Sequence, residues 1–199
     1  MRLKDEFGAL DIGLDKLFYK KIEQYIKLLQ QWGKIHNLTA SLGYNDIEDN
    51  IFDSLYPLKF VNEFNSLADV GTGAGYPGMI IAIARPNTKV TLVEPRAKRV
   101  AFLKFVKSAL KLDNVEVVED RVENIENQIF DLITSRAVSN TKLLLNLTGN
   151  ISNYGTQYLF YKGSLCEEEI EEAKVQNYFI EKRGTKRNYL YIKNKGEQI

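Results

Sequence analysis

Hydrophobic residues change their spacing several times along this chain, and each change marks an element. Between Leu14 and Trp32 they recur at Leu14, Phe18, Ile22, Tyr25, Leu29 and Trp32, in steps of three and four. That period puts them on one face of a helix, with Asp15 available as its N-cap. Gly33 is expected to end or loosen this helix, and His36–Ala40 then reads as a polar connection. A second helical pattern carries Ile47, Ile51, Leu55 and Leu58, with Asp46 as the expected cap and Pro57 as its breaker.

From Leu67 the apolar run becomes continuous, as in a buried strand, and then breaks into glycines at Gly71, Gly73, Gly75 and Gly78. Ile80–Ala84 reads as the apolar face of a helix. Lys89–Glu94 is a second strand that ends on an acid, and Arg96–Leu112 is helical with Val100, Leu103, Val106 and Leu110 inward. Val115–Glu119, Phe130–Ser135 and Gln157–Tyr161 read as further strands, with helices over Thr141–Thr148 and Glu167–Lys174. Asn177–Lys182 and Asn188–Lys193 alternate in polarity around Arg183–Arg187, the pattern of a terminal hairpin. Strands alternating with helices predict an α/β fold, a mostly parallel seven-stranded sheet covered on both faces and closed by that antiparallel hairpin. The expected organisation is one domain, with an N-terminal helical extension over residues 1–64 and an α/β core over 65–199.

Composition narrows the chemistry more than the fold. Apolar residues make up 44% of the 199, enough for a core. No stretch approaches the ~20 apolar residues of a membrane span, and the N-terminus has no continuous apolar signal region. The cytoplasm is the expected compartment, with no membrane partner. Net charge is +1, so overall balance points to no polyanion, and any such site must come from local clustering. Cys166 and His36 each stand alone, which excludes a disulfide framework and argues against a metal site or a Ser-His-Asp hydrolase.

Strand, glycine turn and helix form the opening unit of a nucleotide-binding sheet, where missing side chains let backbone approach the ligand. Gly73-Ala-Gly75-Tyr-Pro-Gly78 also spells GxGxxG, and Glu94 follows at the distance of the dinucleotide fingerprint. An NAD(P)-dependent oxidoreductase of Rossmann type is therefore the competing reading. Two details favour S-adenosylmethionine. Asp69, at the strand end, suits a cationic amino group rather than a pyrophosphate, and FDLITSRA occupies the position of a substrate-facing loop.

Six motifs then occur in order: W-x4-NLT (Trp32, Asn37-Leu38-Thr39), DSL (Asp53–Leu55), DVGTGAGYPG, KR-x2-FL (Lys98-Arg99, Phe102-Leu103), RVE (Arg121–Glu123) and SRAV (Ser135–Val138). Together they resemble the GidB/RsmG family, bacterial methyltransferases that modify N7 of a guanine in 16S ribosomal RNA. The resemblance runs from about Trp32 to Lys162-Gly163 and more weakly into the hairpin around Arg187. It implies the fold of a class I S-adenosylmethionine-dependent methyltransferase (Rossmann-like), with S-adenosylhomocysteine as cofactor product. The chain departs from the family pattern at Asn50, where His is usual, at Glu94, where Asp is usual, and at Gly33, where Asn is usual.

The resemblance also assigns roles. Asp69, Gly71, Gly73, Gly75, Tyr76, Glu94, Val122, Glu123 and Arg136 are the implied cofactor residues, with Glu94 on the ribose hydroxyls and Val122-Glu123 at the adenine. Arg121 and Arg136 are the catalytic candidates, and Asn37, Arg121, Lys162 and Arg187 those for the RNA face. The basic side of Arg96–Lys111 is a further surface that could meet phosphates. The implied partner is 16S ribosomal RNA within a small-subunit particle, bound by a monomer. A methyltransferase acting on another substrate and a non-catalytic ribosomal factor are the remaining alternatives.

Overall fold

The computed structural model of the chain describes residues 7–8, 10–36, 38, 42–185 and 187–193. Its sheet consists of β1 (Ser66–Val70), β2 (Lys89–Val93), β3 (Val115–Val118), β4 (Leu132–Arg136), β5 (Gln157–Lys162), β6 (Tyr178–Arg183) and β7 (Arg187–Lys193). The strand order is β3-β2-β1-β4-β5-β7-β6. Residues 67–70 of β1 are buried on both faces, which is why their sequence is continuously apolar up to Asp69. β1 pairs parallel with β2 on one side and β4 on the other, so the chain reverses direction across the sheet beside it. Ligands of open α/β sheets bind outside the carboxyl ends of the strands at such a reversal. β7 runs antiparallel to β5, and β6 antiparallel to β7, with Arg183 opposite Arg187. The hairpin turn therefore lies at the same end of the sheet as the end of β5, where Lys162 faces Asn188.

Helices complete the layers: α1 (Lys16–His36), α2 (Tyr44–Leu55), α3 (Gly78–Ala84), α4 (Ala97–Leu110), α5 (Thr141–Leu147) and α6 (Cys166–Ala173). Ile22, Ile51, Ile80 and Leu103 of α1–α4 share one hydrophobic cluster with Leu67, Leu92, Leu159 and Tyr189 of the sheet. Leu144 and Ile170 cover the other face over Val70, Ile133, Phe160 and Leu190. The sheet residues alternate between the two clusters because successive side chains point to opposite faces. No helix among the described residues is long and apolar enough to cross a membrane.

The helical extension differs in detail from its sequence pattern. Asp15 caps α1 as expected, its Oδ1 accepting from Phe18 N at 2.7 Å. Gly33 does not end that helix, which runs on to His36. A Cβ at Gly33 would collide with the Cδ atoms of Leu42, so close packing accounts for this glycine rather than a helix stop. The N-cap of α2 is Gly43, not Asp46, which sits in the first turn. There its charge still complements the helix dipole. Pro57 falls just past α2, in the 3-10 turn Tyr56–Lys59.

Candidate functional site

The loop from β1 to α3 is held open by backbone that only glycine adopts freely. Gly71, Gly73 and Gly75 have φ of 69°, 62° and 105°. Beneath them lies Asp69, fully buried, whose Oδ2 accepts from Gly78 N at 2.8 Å. A Cβ at Gly78 would stand 2.6 Å from Asp69 Cβ and 2.5 Å from Leu92 Cδ2, so the helix can start this close only without a side chain. Burial pushes the Asp69 carboxyl up to about 6, against the pull of the Thr72 hydroxyl, the Gly78 N–H and Arg136. Asp69 Oδ1, Thr72 Oγ1 and Tyr76 Oη are buried around the loop in loose geometry, the Thr72 hydroxyl turned toward Asp69 and the Tyr76 hydroxyl toward Tyr25. Weakly satisfied polar groups of this kind gain from a better-placed polar partner. From the other side, Tyr25 of α1 donates its hydroxyl to Ala74 O at 2.8 Å and meets the Tyr76 ring edge-on at 5.8 Å.

Glu94 follows β2 and is 2% exposed. Its Oε2 accepts from Gly73 N at 3.0 Å, its Oε1 accepts from Arg96 N at 3.0 Å, and Arg99 Nη1 lies 3.4 Å from Oε2. Each carboxylate oxygen accepts from two directions, so these bonds orient Glu94 and leave acceptor capacity for hydroxyl donors. The longer Glu side chain thus links the end of β2 to the middle of the glycine loop.

Arg136 ends β4 and reaches back over that loop. Its guanidinium carbon stands 4.7 Å from the centre of the Tyr76 ring, and Nη1 donates to Asn50 Oδ1 at 2.8 Å. Ala137 follows at φ 56°, a conformation uncommon for residues other than glycine, and turns Val138 onto Gly71. A Cβ at Gly71 would lie 2.5 Å from Val138 Cγ2, so the two loops touch.

Lys162, expected on the RNA face, has a different place. It is 5% exposed; its ammonium pairs with Glu169 Oε2 at 2.7 Å and donates to Ser139 O at 2.8 Å. The same Glu169 oxygen accepts from Thr141 N and Oγ1. Lys162 therefore braces the segment after Arg136 instead of presenting a charge to solvent.

The remaining sequence candidates separate. Val122 is buried in the core cluster, and its carbonyl already accepts from Asn150 Nδ2 at 3.1 Å. Glu123 beside it is exposed, as is Arg121. Asn37 lies outside the described residues. Arg187 is brought to the β4 side of the site through Asp53, whose Oδ1 accepts from its Nε at 2.9 Å. Sequence reasoning assigned no role to Asp53, Arg183 or Thr72, and placed Arg99 only on the basic face that could meet phosphates. Asp53 had a signal in its DSL motif and in its spacing from Asn50, whereas Arg183 had none. A groove of about 590 Å³ runs between Asp46, Asp49 and Asp53 of α2 and Arg183 and Arg187 of the hairpin.

Comparison with known proteins agrees with this geometry. Residues 18–195 match the family model described as GidB: rRNA small subunit methyltransferase G. A protein of Aliarcobacter butzleri named Ribosomal RNA small subunit methyltransferase G is 56% identical over 93% of this chain and 95% of its own length. One of the same name from Wolinella succinogenes is 43% identical over 86% of this chain and 89% of its own. Among solved structures, a methyltransferase from Geobacter sulfurreducens superposes with a TM-score of 0.65 at 13% identity, covering 85% of this chain and 90% of that one. At that identity the likeness concerns the fold alone.

Proposed function

Because the chain belongs to the GidB family of small-subunit ribosomal RNA methyltransferases, we propose that it methylates N7 of a guanine in 16S ribosomal RNA, using S-adenosylmethionine. Membership in that family does not favour the oxidoreductase alternative. The observation that carries the cofactor reading is the glycine loop, held between two buried carboxylates that accept from Gly78 N and Gly73 N. Asp69 would take the cationic amino group, Glu94 the ribose hydroxyls, and the backbone of Gly71, Gly73, Gly75 and Tyr76 the atoms between them. The exposed Glu123 and the backbone at Val122 would border the adenine.

When bound, the cofactor supplies an electrophilic methyl on a positively charged sulfur. Guanine N7 carries an in-plane lone pair and no proton, so no side chain has to act as a general base. The work left to the protein is alignment and exclusion of water, effects worth several kcal/mol. The contact between Val138 and Gly71 narrows the mouth of the site, and Lys162 with Glu169 keeps that segment in position. Arg136 orients the ligands at the end of β4. Arg121 and Arg187 serve the RNA face, with Arg121 exposed to meet a phosphate.

We infer as substrate a folded small-subunit particle in which the guanine is already accessible, since the described residues form one α/β core with its helical extension. The experiment is methyl transfer from labelled S-adenosylmethionine to small subunits lacking the modification, with mature subunits as control. Label recovered as 7-methylguanine only from the unmodified particles is the expected result. Absence of transfer, or equal transfer to a minimal loop oligonucleotide, overturns the substrate assignment.

A further inference from the structure

Asp53 lies on α2, away from the cofactor loop, and is 5% exposed. Its Oδ1 accepts from Arg187 Nε at 2.9 Å and from the Tyr189 hydroxyl at 2.8 Å, and Arg183 Nη1 stands 3.6 Å away. Its Oδ2 is 3.4 Å from Arg136 Nη1. Three guanidiniums thus share one nearly buried carboxylate. Two of them belong to the hairpin and border the groove, which Asp46 and Asp49 also face from α2. The third reaches over Tyr76 of the cofactor loop. Asn50, one turn earlier on α2, holds the same Arg136 nitrogen.

We propose that Asp53 is a positioning residue that couples the RNA-facing hairpin to Arg136. The inference rests on the reading of Arg136 as a ligand-side residue and of the hairpin as RNA-facing. Among the described residues, three donors crowd Oδ1 while Arg136 meets Oδ2, so the hairpin arginines and Arg136 share the charge of one carboxylate. A phosphodiester arriving at Arg183 or Arg187 draws that guanidinium away from Oδ1, because phosphate offers the same bidentate acceptor. The charge of Asp53 then falls mainly to Arg136 and holds it more firmly over Tyr76. RNA binding and cofactor binding strengthen each other by the same factor, since such coupling is reciprocal.

The test measures affinity for S-adenosylhomocysteine by calorimetry, alone and with unmodified small subunits at saturation. In the wild-type protein the particle is expected to tighten binding about fivefold or more. Asp53→Asn keeps the shape and an acceptor for Tyr189 but removes the charge. Each ligand should still bind it separately, the coupling should fall below about twofold, and kcat should drop about tenfold. Asp53→Asn combined with Arg136→Gln should turn over no more slowly than Arg136→Gln alone, because the first acts through the second. Retained coupling in Asp53→Asn, or multiplying effects in the double variant, overturns the proposal. If Arg136→Gln is slow and Asp53→Asn is normal, the proposal alone falls. If Arg136→Gln is itself normal, the reading of Arg136 falls with it. Arg183→Gln keeps the measurement available should Asp53→Asn fail to fold. It lies at a third-exposed side chain, and it should reduce the coupling while S-adenosylhomocysteine alone binds normally; unchanged coupling there counts equally against the proposal.

Discussion

Gly78 N–H donates to Asp69 Oδ2 at 2.8 Å, and a Cβ at residue 78 would stand 2.6 Å from Asp69 Cβ, so no side chain fits there. One hydrogen bond thereby fixes the last glycine of the loop to the end of the central strand. Gly78→Ala should destabilise the protein by about 1–3 kcal/mol through overpacking against Asp69 and Leu92. It should also weaken S-adenosylhomocysteine binding. Urea denaturation and calorimetry measure the two effects, and wild-type values in both would refute this account of the loop.

The Asp69 carboxyl titrates near 6 when folded, above its ordinary 3.8. Between those values the folded protein binds the extra proton, so this group makes stability fall as pH rises from about 4 through about 6, by up to about 3 kcal/mol, and level off above. Ligand affinity should run the other way. The ionised carboxylate attracts the ligand's amino group, so S-adenosylhomocysteine should bind more tightly as pH rises from 5 to 7. Asp69→Asn should remove both trends, and calorimetry and denaturation across that range compare the two proteins. Parallel pH profiles would exclude Asp69 as their source.

Glu94 holds two backbone N–H groups, at Gly73 and Arg96. Glu94→Ala should weaken S-adenosylhomocysteine binding about tenfold or more, since hydrogen bonds to a charged group contribute about 1.5–3 kcal/mol. Affinity for the RNA particle alone should stay near normal. An unchanged cofactor-product affinity in a folded variant would remove Glu94 from the site.

Lys162→Met tests the bracing role against an RNA-contact role. Breaking the pair with Glu169 should cost about 2–3 kcal/mol of stability, toward the low end because Glu169 keeps its bonds from Thr141. The salt dependence of RNA binding should not change. A shallower salt slope with wild-type stability would return Lys162 to the RNA face.

Arg121→Gln is the converse case. As an exposed side chain beyond β3, it should weaken RNA binding and reduce the slope of log affinity against log salt by about 1. S-adenosylhomocysteine affinity should hold. An unaltered slope would mean that Arg121 meets no phosphate.

Sequence by itself determined the elements and the glycine loop. Periodicity is a local property: four successive buried residues make β1, steps of three and four make α1 and α4, and glycines at 71, 73 and 75 make a turn of positive φ. Each signal is complete within one segment. The tertiary structure decided which charges meet. Asp53 and Arg187 are 134 residues apart, and only the antiparallel return of β7 beside β5 brings them within 2.9 Å. The turn from β5 into α6 puts Glu169 over Lys162, and a lysine that reads as a surface charge becomes an internal brace. Gly33 reads as a helix stop until Leu42 is seen to pack against it. Hydrophobic spacing specifies which face of an element is buried, but not which polar side chain on another element lies opposite. Pairing of that kind depends on the strand order and on the packing of the whole chain.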